Sequence, residues 1–518
     1  MTTGPGPPAP DPPADGPGAR RGTEEHRTEQ LSSAIGARGR HGAAGTRQRL
    51  GRGALALLVL LTGLILVLGY ANKARCTGPE FDAAGRSQPD FAGRAYGDVC
   101  YSDIQKLWLG RDVDQHVFPY LNGSMGADGE LHGGSVEYPV LTGVLIWLGA
   151  LAAHTDAGFL LGSALLLAPF GLVTGWLLGR LARWRALLWA LGPPLVLYAF
   201  HNWDLPAVAC SVGAVFAVHG TRRPRPVLAA VLLGLGCALK LYPGAFLVPL
   251  ALLVLTRGAP PGGTLDVPGA LRVLWAGLGT VVLVNLPFAL VGYEGWRASF
   301  TFQERRPVDA STNSIWFWGV RPLMADLGAG ERFGDLVDVL SPLLVLLSFA
   351  AAALYGLRRW RRGEVYPWVG VSGAMLCGFL LLHKVHSPQY TLWLLPFLVL
   401  LRVRGGWIAG YLVADALIGI GVFRWFHVGG GVADGFAPQA VVLGVWGTSL
   451  LCAILFVLFL RVPTVAGLDA PVDLSARRTP AARGGPPGSD DRAATPRGPG
   501  RSPHPSGRAR GGRTAAPG

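Results

Sequence analysis

Long, unbroken apolar blocks leave this chain few ways to fold. Ala54 to Leu68, Phe159 to Leu178 and Val441 to Leu460 each approach the roughly 20 residues a helix needs to cross a hydrocarbon core. These blocks are continuous rather than spaced at helical period. Half of the 518 residues are hydrophobic, only 15% are charged, and the mean hydropathy is +0.36, far from an average soluble domain. The fold class read from this is all-α, a polytopic transmembrane helical bundle.

Residues 1–52 and 463–518 are a different material, rich in Pro, Gly, Ala and Arg with few large apolar side chains. Such segments cannot repay the entropy of ordering, so both are expected to be disordered basic tails flanking a membrane domain over 53–462. Much of the formal charge of +14 lies in them and in short loops, where it signals orientation and anionic lipid before nucleic acid. No aromatic interleaving supports nucleic-acid binding. The arginines before Ala54 resemble a signal peptide's basic region, but no small-residue cleavage site follows Leu68, so a retained first span is expected.

Arginine clusters at 180–185, 222–225, 257–272, 358–362 and 402–404, and from Arg461 onward, are each separated by two apolar blocks, as alternating crossings require. Both termini are then cytoplasmic. The start breaks the count, with three blocks before Arg180. The weakest, 138–153, is expected to be re-entrant or to lie along the interface, leaving about 12 spans and a groove nearby. A reading with thirteen spans would violate the charge rule at every later loop.

This topology gathers five polar stretches outside the cell. They are the long first loop 72–137, "HNWD" at 201–204, "LKLYP" at 239–243, the loop 293–335, and "HKVHSPQY" at 383–390. Ionisable groups at span ends mark a site or snorkel to water. A phosphate at headgroup depth needs fixed cations, and Lys384, His383, His386, Lys240, Arg305 and Arg306 are the candidates. Displacing a sugar from a phosphate needs little acid catalysis, so one carboxylate to accept the attacking hydroxyl's proton completes the minimum set. Asp103 is that candidate; otherwise it simply caps the helix expected from Ile104.

No P-loop, Rossmann fingerprint or metal-ligand spacing occurs, so neither cofactor nor metal is expected. Cys76 and Cys100 share the first loop. Outside the cell they either pair in a disulfide or remain free thiols.

"YSDI", "LWLGR", "EYPVLTG", "KLYP" and "KVHSPQYTLWLLP" together resemble glycosyltransferase family 87, over about residues 54 to 460. These are actinobacterial polyprenyl-phosphate-mannose-dependent α-mannosyltransferases of the GT-C architecture. The resemblance implies a GT-C-type bundle in the plasma membrane and an inverting transfer at its outer face. The donor is a polyprenyl-phosphate sugar, the acceptor a glycolipid or envelope glycan, and the family's essential acidic residue matches Asp103. Tyr101, Glu137, Tyr138, His201, Asp204, Trp316, Trp318, Gln389 and Tyr390 are expected to line the substrate groove. Glu137 and Tyr138 line it, or Tyr138 is an ordinary interfacial aromatic, and the two tryptophans either stack on a sugar or belong to the aromatic belt. Arg305 and Arg306 clamp phosphate or pair with Glu304. His201 and Asp204 are close enough in sequence to hydrogen-bond each other. A flippase for a lipid-linked saccharide and a non-catalytic assembly protein are the alternatives. The flippase is disfavoured because the ionisable groups sit at span ends rather than at the midplane.

Overall fold

The computed structural model describes residues 50–326, 328, 330–429 and 435–474, together with residues 2, 4 and 6. The expected tails lie largely outside these residues. The described part of the C-terminal segment returns to the bundle: Val472 N donates to the Gly258 carbonyl, Thr464 bridges Leu401, and Leu468 is buried.

The apolar blocks form helices: α1 (Arg52–Ala74), α4 (Val140–Ala150), α5 (Asp156–Ala182), α6 (Leu205–His219), α7 (Pro226–Leu239), α8 (Leu247–Leu255), α9 (Val267–Val291), α11 (Phe333–Arg361), α12 (Trp368–Leu382), α13 (Thr391–Leu400), α14 (Gly405–Gly429) and α15 (Ala437–Arg461). Loop helices α2 (Phe91–Gly97), α3 (Asp103–Leu107) and α10 (Tyr293–Arg305) complete the set used below. The apolar block over residues 186–200 is broken into Leu187–Ala190 and Pro193–Tyr198, because Pro193 and Pro194 have no N–H to continue the ladder. Among the described residues, strands are confined to two two-residue antiparallel pairs in the first loop, Glu80–Phe81 with Ser87–Gln88 and Ser124–Met125 with Leu131–His132.

Among the described residues, six helices are long and apolar enough to cross a membrane, and six further apolar helices have only 10–17 residues. The short ones include the most enclosed. Every residue of α13 is buried, as are all but three of α12. By contrast, only 11% of the apolar window of α9 is buried, and Trp275, Leu283 and Leu290 face outward. Eleven-residue α4 rises about 16 Å, half a hydrocarbon core, as a re-entrant or interfacial segment would. Its Thr142 hydroxyl donates to the Leu239 carbonyl, fixing it to the end of α7.

Lipid offers no hydrophobic drive between helices, so close backbone approach has to supply the packing. A Cβ on Gly175 would meet Thr62 Oγ1 at 2.6 Å, which brings α5 against α1. One on Gly234 would meet the Gly277 carbonyl oxygen at 2.5 Å, which brings α7 against α9.

Candidate active site

Asp103 opens the five-residue helix α3, capped by Ser102, whose hydroxyl accepts from Ile104 N and donates to the Phe200 carbonyl. Asp103 N donates to the His201 carbonyl at 2.8 Å, so the first loop is fastened to the "HNWD" turn through backbone. At the other end of α3, Arg86 donates to the carbonyls of Gln105 and Lys106 and pairs with buried Asp156 at 3.1 Å. Asp156 also accepts from Ser87 Oγ and N. A disulfide joins Cys76, just after α1, to Cys100, three residues before Asp103. The carboxylate is thus held from both sides and keeps a quarter of its side chain exposed.

Asn202 is the hub. Its Nδ2 donates to Asp103 Oδ2 at 2.7 Å and to the Tyr138 hydroxyl at 2.9 Å; its Oδ1 accepts from Lys240 Nζ at 2.8 Å. Lys240 lies 3.6 Å from Asp204 Oδ1 and 4.3 Å from the centre of the Tyr138 ring. Asp204 accepts from Trp393 Nε1 at 2.9 Å, while its Oδ2 is buried without a hydrogen-bond partner among the described residues. Lys73, at the end of α1, donates to the Tyr101 carbonyl at 2.7 Å and stands 3.5 Å from His201 Nδ1. Two carboxylates, Asp103 and Asp204, and two lysine amines, Lys73 and Lys240, share this cluster. Between them, burial pushes the His201 imidazole down to about 4, Lys73 lowers it further and Asp103 opposes, so at neutral pH it carries no charge.

An aromatic stack leads from this cluster to the late "HKVHSPQY" stretch. Trp393 lies between Tyr242 and Tyr390, with ring centroids 4.3 and 3.9 Å away. Tyr390 is within electrostatic reach of Arg306, Asp204 and Asp103. His383 stacks on Phe379 at 4.6 Å; burial lowers its proton affinity, and Lys384 and Arg306 lower it further. Lys384 donates to Asp338 at 2.8 Å and to the Glu304 carbonyl at 3.1 Å. His386 donates its backbone N–H to the Thr312 carbonyl, its Nδ1 meets the Leu380 carbonyl, and its buried Nε2 has no partner among the described residues. Gln389 Oε1 is likewise buried and unpartnered.

Several expected roles change. Lys240 is enclosed and committed to Asn202 and Asp204, because a carboxylate buried at the head of α6 needs a cation beside it. His201 does not bond Asp204: the turn before α6 sends Asp204 inward to Lys240 and Trp393, and His201 toward Asp103, at 3.8 Å, and Lys73. Trp316 Nε1 donates to the Leu382 carbonyl, so this indole braces the corner after α12. Trp318 meets Trp425 edge-on at 5.5 Å. Glu137 pairs with Arg111 at 3.1 Å, and Tyr101 stacks between Tyr96 and Phe423. Arg305 is exposed and Arg306 half-buried, and neither pairs with Glu304 among the described residues. Lys73, Asn202, Trp393 and Arg86 were not singled out from sequence. Asn202 lies inside the "HNWD" already marked, whereas Lys73 is hidden at the tail of an apolar block.

An apolar groove of about 530 Å³ opens between α14 and α15, reaching Val99 of the first loop and Arg424. The stack of Tyr101 on Phe423 separates it from His201 and Asp103.

Comparison with known proteins agrees with the motif resemblance. The model of glycosyltransferase family 87 matches residues 137–384, from "EYP" to "HK". GPI mannosyltransferase 1 of Saccharomyces cerevisiae is 24% identical over 290 residues, 54% of this chain and 70% of its own. A crystal structure of ArnT from Cupriavidus metallidurans bound to undecaprenyl phosphate aligns over 78% of this chain and 76% of its own, with 14% identity and a TM-score of 0.35.

Proposed function

We propose, from the premise of a membrane glycosyltransferase whose family 87 segment spans residues 137–384, that this protein transfers a hexose, mannose by the likeness to its yeast relative, from a polyprenyl-phosphate donor to a glycolipid or envelope glycan. The donor's lipid class follows the motif resemblance to family 87. The observation that carries the reading is the partly exposed Asp103 carboxylate, pinned at both ends of its helix and oriented by Asn202.

The acceptor hydroxyl attacks the anomeric carbon from the face opposite the phosphate. As the new C–O bond forms, Asp103 takes the hydroxyl proton and the sugar–phosphate C–O bond breaks with its electron pair leaving on phosphate. The configuration inverts. Because Lys240 is buried and committed to Asn202 and Asp204, the leaving phosphate needs its cations from elsewhere. Arg306, beside His383 and Tyr390, and Lys384, whose Asp338 partner is exposed, are the groups able to turn to it. The groove between α14 and α15 is a seat for the lipid chain. In this reading the site faces outward and both termini lie in the cytoplasm.

Membranes supplied with labelled polyprenyl-phosphate mannose test it. Asp103→Asn should lose transfer by about 10²–10⁴-fold while inserting and folding normally. Unchanged transfer by that variant would remove the mechanism. Reporter fusions after Trp108 and after Arg361 should read opposite sides of the membrane.

A further inference from the structure

Two other grooves lie at the far end of the bundle. One, of about 430 Å³, runs between α11 and α15, walled by Leu354, Tyr355, Phe456 and Val457, with Arg358 and Arg461 at its mouth. The second, of about 570 Å³, runs between α1 and α5, walled by Leu55, Val59, Leu60 and Trp176, with Arg52 and Arg180 at its mouth. The opposite ends of three of these helices are tied to the candidate site or the first loop. Lys73 of α1 reaches Tyr101, Asp156 of α5 holds Ser87, and Asp338 of α11 holds Lys384. Ala437, the first residue of α15, lines the groove that reaches Val99. Both arginine pairs therefore sit about a membrane thickness from Asp103.

The chemistry of the two grooves matches although their helices differ. Neither is lined by a carboxylate. Among the described residues, none of the four guanidinium groups has a hydrogen bond or ion pair with protein. Arg180 lies over the rings of Trp176 and Phe216, at 5.2 and 5.8 Å, which orients its plane without using its N–H donors. Two convergent guanidinium groups above an apolar trough complement a phosphodiester carrying acyl chains.

We propose that each groove holds one anionic phospholipid, its acyl chain in the trough and its phosphate between the arginines, in the leaflet opposite the candidate active site. The absence of a lining carboxylate leaves nothing to receive the ammonium of a zwitterionic headgroup. The proposal does not depend on the glycosyltransferase reading, since it concerns other residues and is read without an activity assay.

The test is native mass spectrometry of the full chain, delipidated in detergent and titrated with phosphatidylglycerol or phosphatidylcholine. Two phosphatidylglycerol molecules should remain bound per chain, and phosphatidylcholine none. Arg358→Gln with Arg461→Gln should remove one, and Arg52→Gln with Arg180→Gln the other, each pair weakening binding about thirtyfold. Arg52→Gln alone, at an exposed position, should weaken the second site about fivefold and serves if the Arg180 change disturbs packing on Trp176. Equal retention of the two lipids, or unchanged retention by the variants, would overturn the proposal.

Discussion

Two polar stretches end apolar helices on the same face of the bundle, and they manage charge differently. Around Asp103 the charged groups are tied together in a continuous set through Asn202, Lys240, Asp204 and Trp393. Around Lys384 the cations outnumber their partners. Arg305 and Arg306 have no ion pair among the described residues, and Lys384 leans on a carboxylate that is 57% exposed. The first region is built to hold one geometry, which suits the group that accepts a proton. The second has guanidinium groups without an ion pair among the described residues, which suits the capture of an anion. The Tyr242–Trp393–Tyr390 stack joins them.

After the loss of transfer at Asp103, the largest effect should come from breaking the closed region. Lys240→Met leaves Asp204 buried without a cation, and about 3–5 kcal/mol of stability should be lost. Adding Asp204→Asn should restore most of the thermal stability in detergent. A Lys240→Met protein that folds normally but binds donor poorly would return Lys240 to the open region.

Lys384→Ala sharpens the other side. The pair with Asp338 is half in water and worth little to folding, so melting should barely move. The apparent KM for the lipid donor should rise about tenfold, with acceptor dependence unchanged. If only acceptor dependence responds, the "HKVHSPQY" corner serves the other substrate.

The smallest effect is with pH. Burial pushes both His201 and His386 down to about 4, below the ordinary value of 6.5. Between those values the unfolded chain binds more protons than the folded one, so stability is complete above 6.5 and falls as pH drops toward 4. Melting followed from pH 7 to pH 4 should show this decline, and His386→Gln should make it shallower.

The stretches that meet here were legible because each interrupts an apolar block, and a charge at a span end is costly enough to stand out. Their mutual geometry was not. Asp103 meets His201 through a backbone bond between segments nearly a hundred residues apart, which no periodicity encodes. Lys240 read as a phosphate ligand because a lone lysine at a helix end looks unpaired until Asp204 arrives from another helix. Trp316 read as a sugar platform or a belt residue because its type fits both, and only the Leu382 carbonyl shows it bracing a corner. The broken block at 186–200 had its warning in Pro193 and Pro194, outweighed by its hydrophobicity.

The bond between Cys76 and Cys100 makes the placement of Asp103 depend on where the chain matures. It closes a loop of 24 residues ending just short of Asp103, a constraint of about 3 kcal/mol against the open chain. Chain made where thiols stay reduced would carry every helix of the bundle yet present its carboxylate on a slack tether. Placing Asp103 thereby takes an oxidising compartment as well as the packing of the helices.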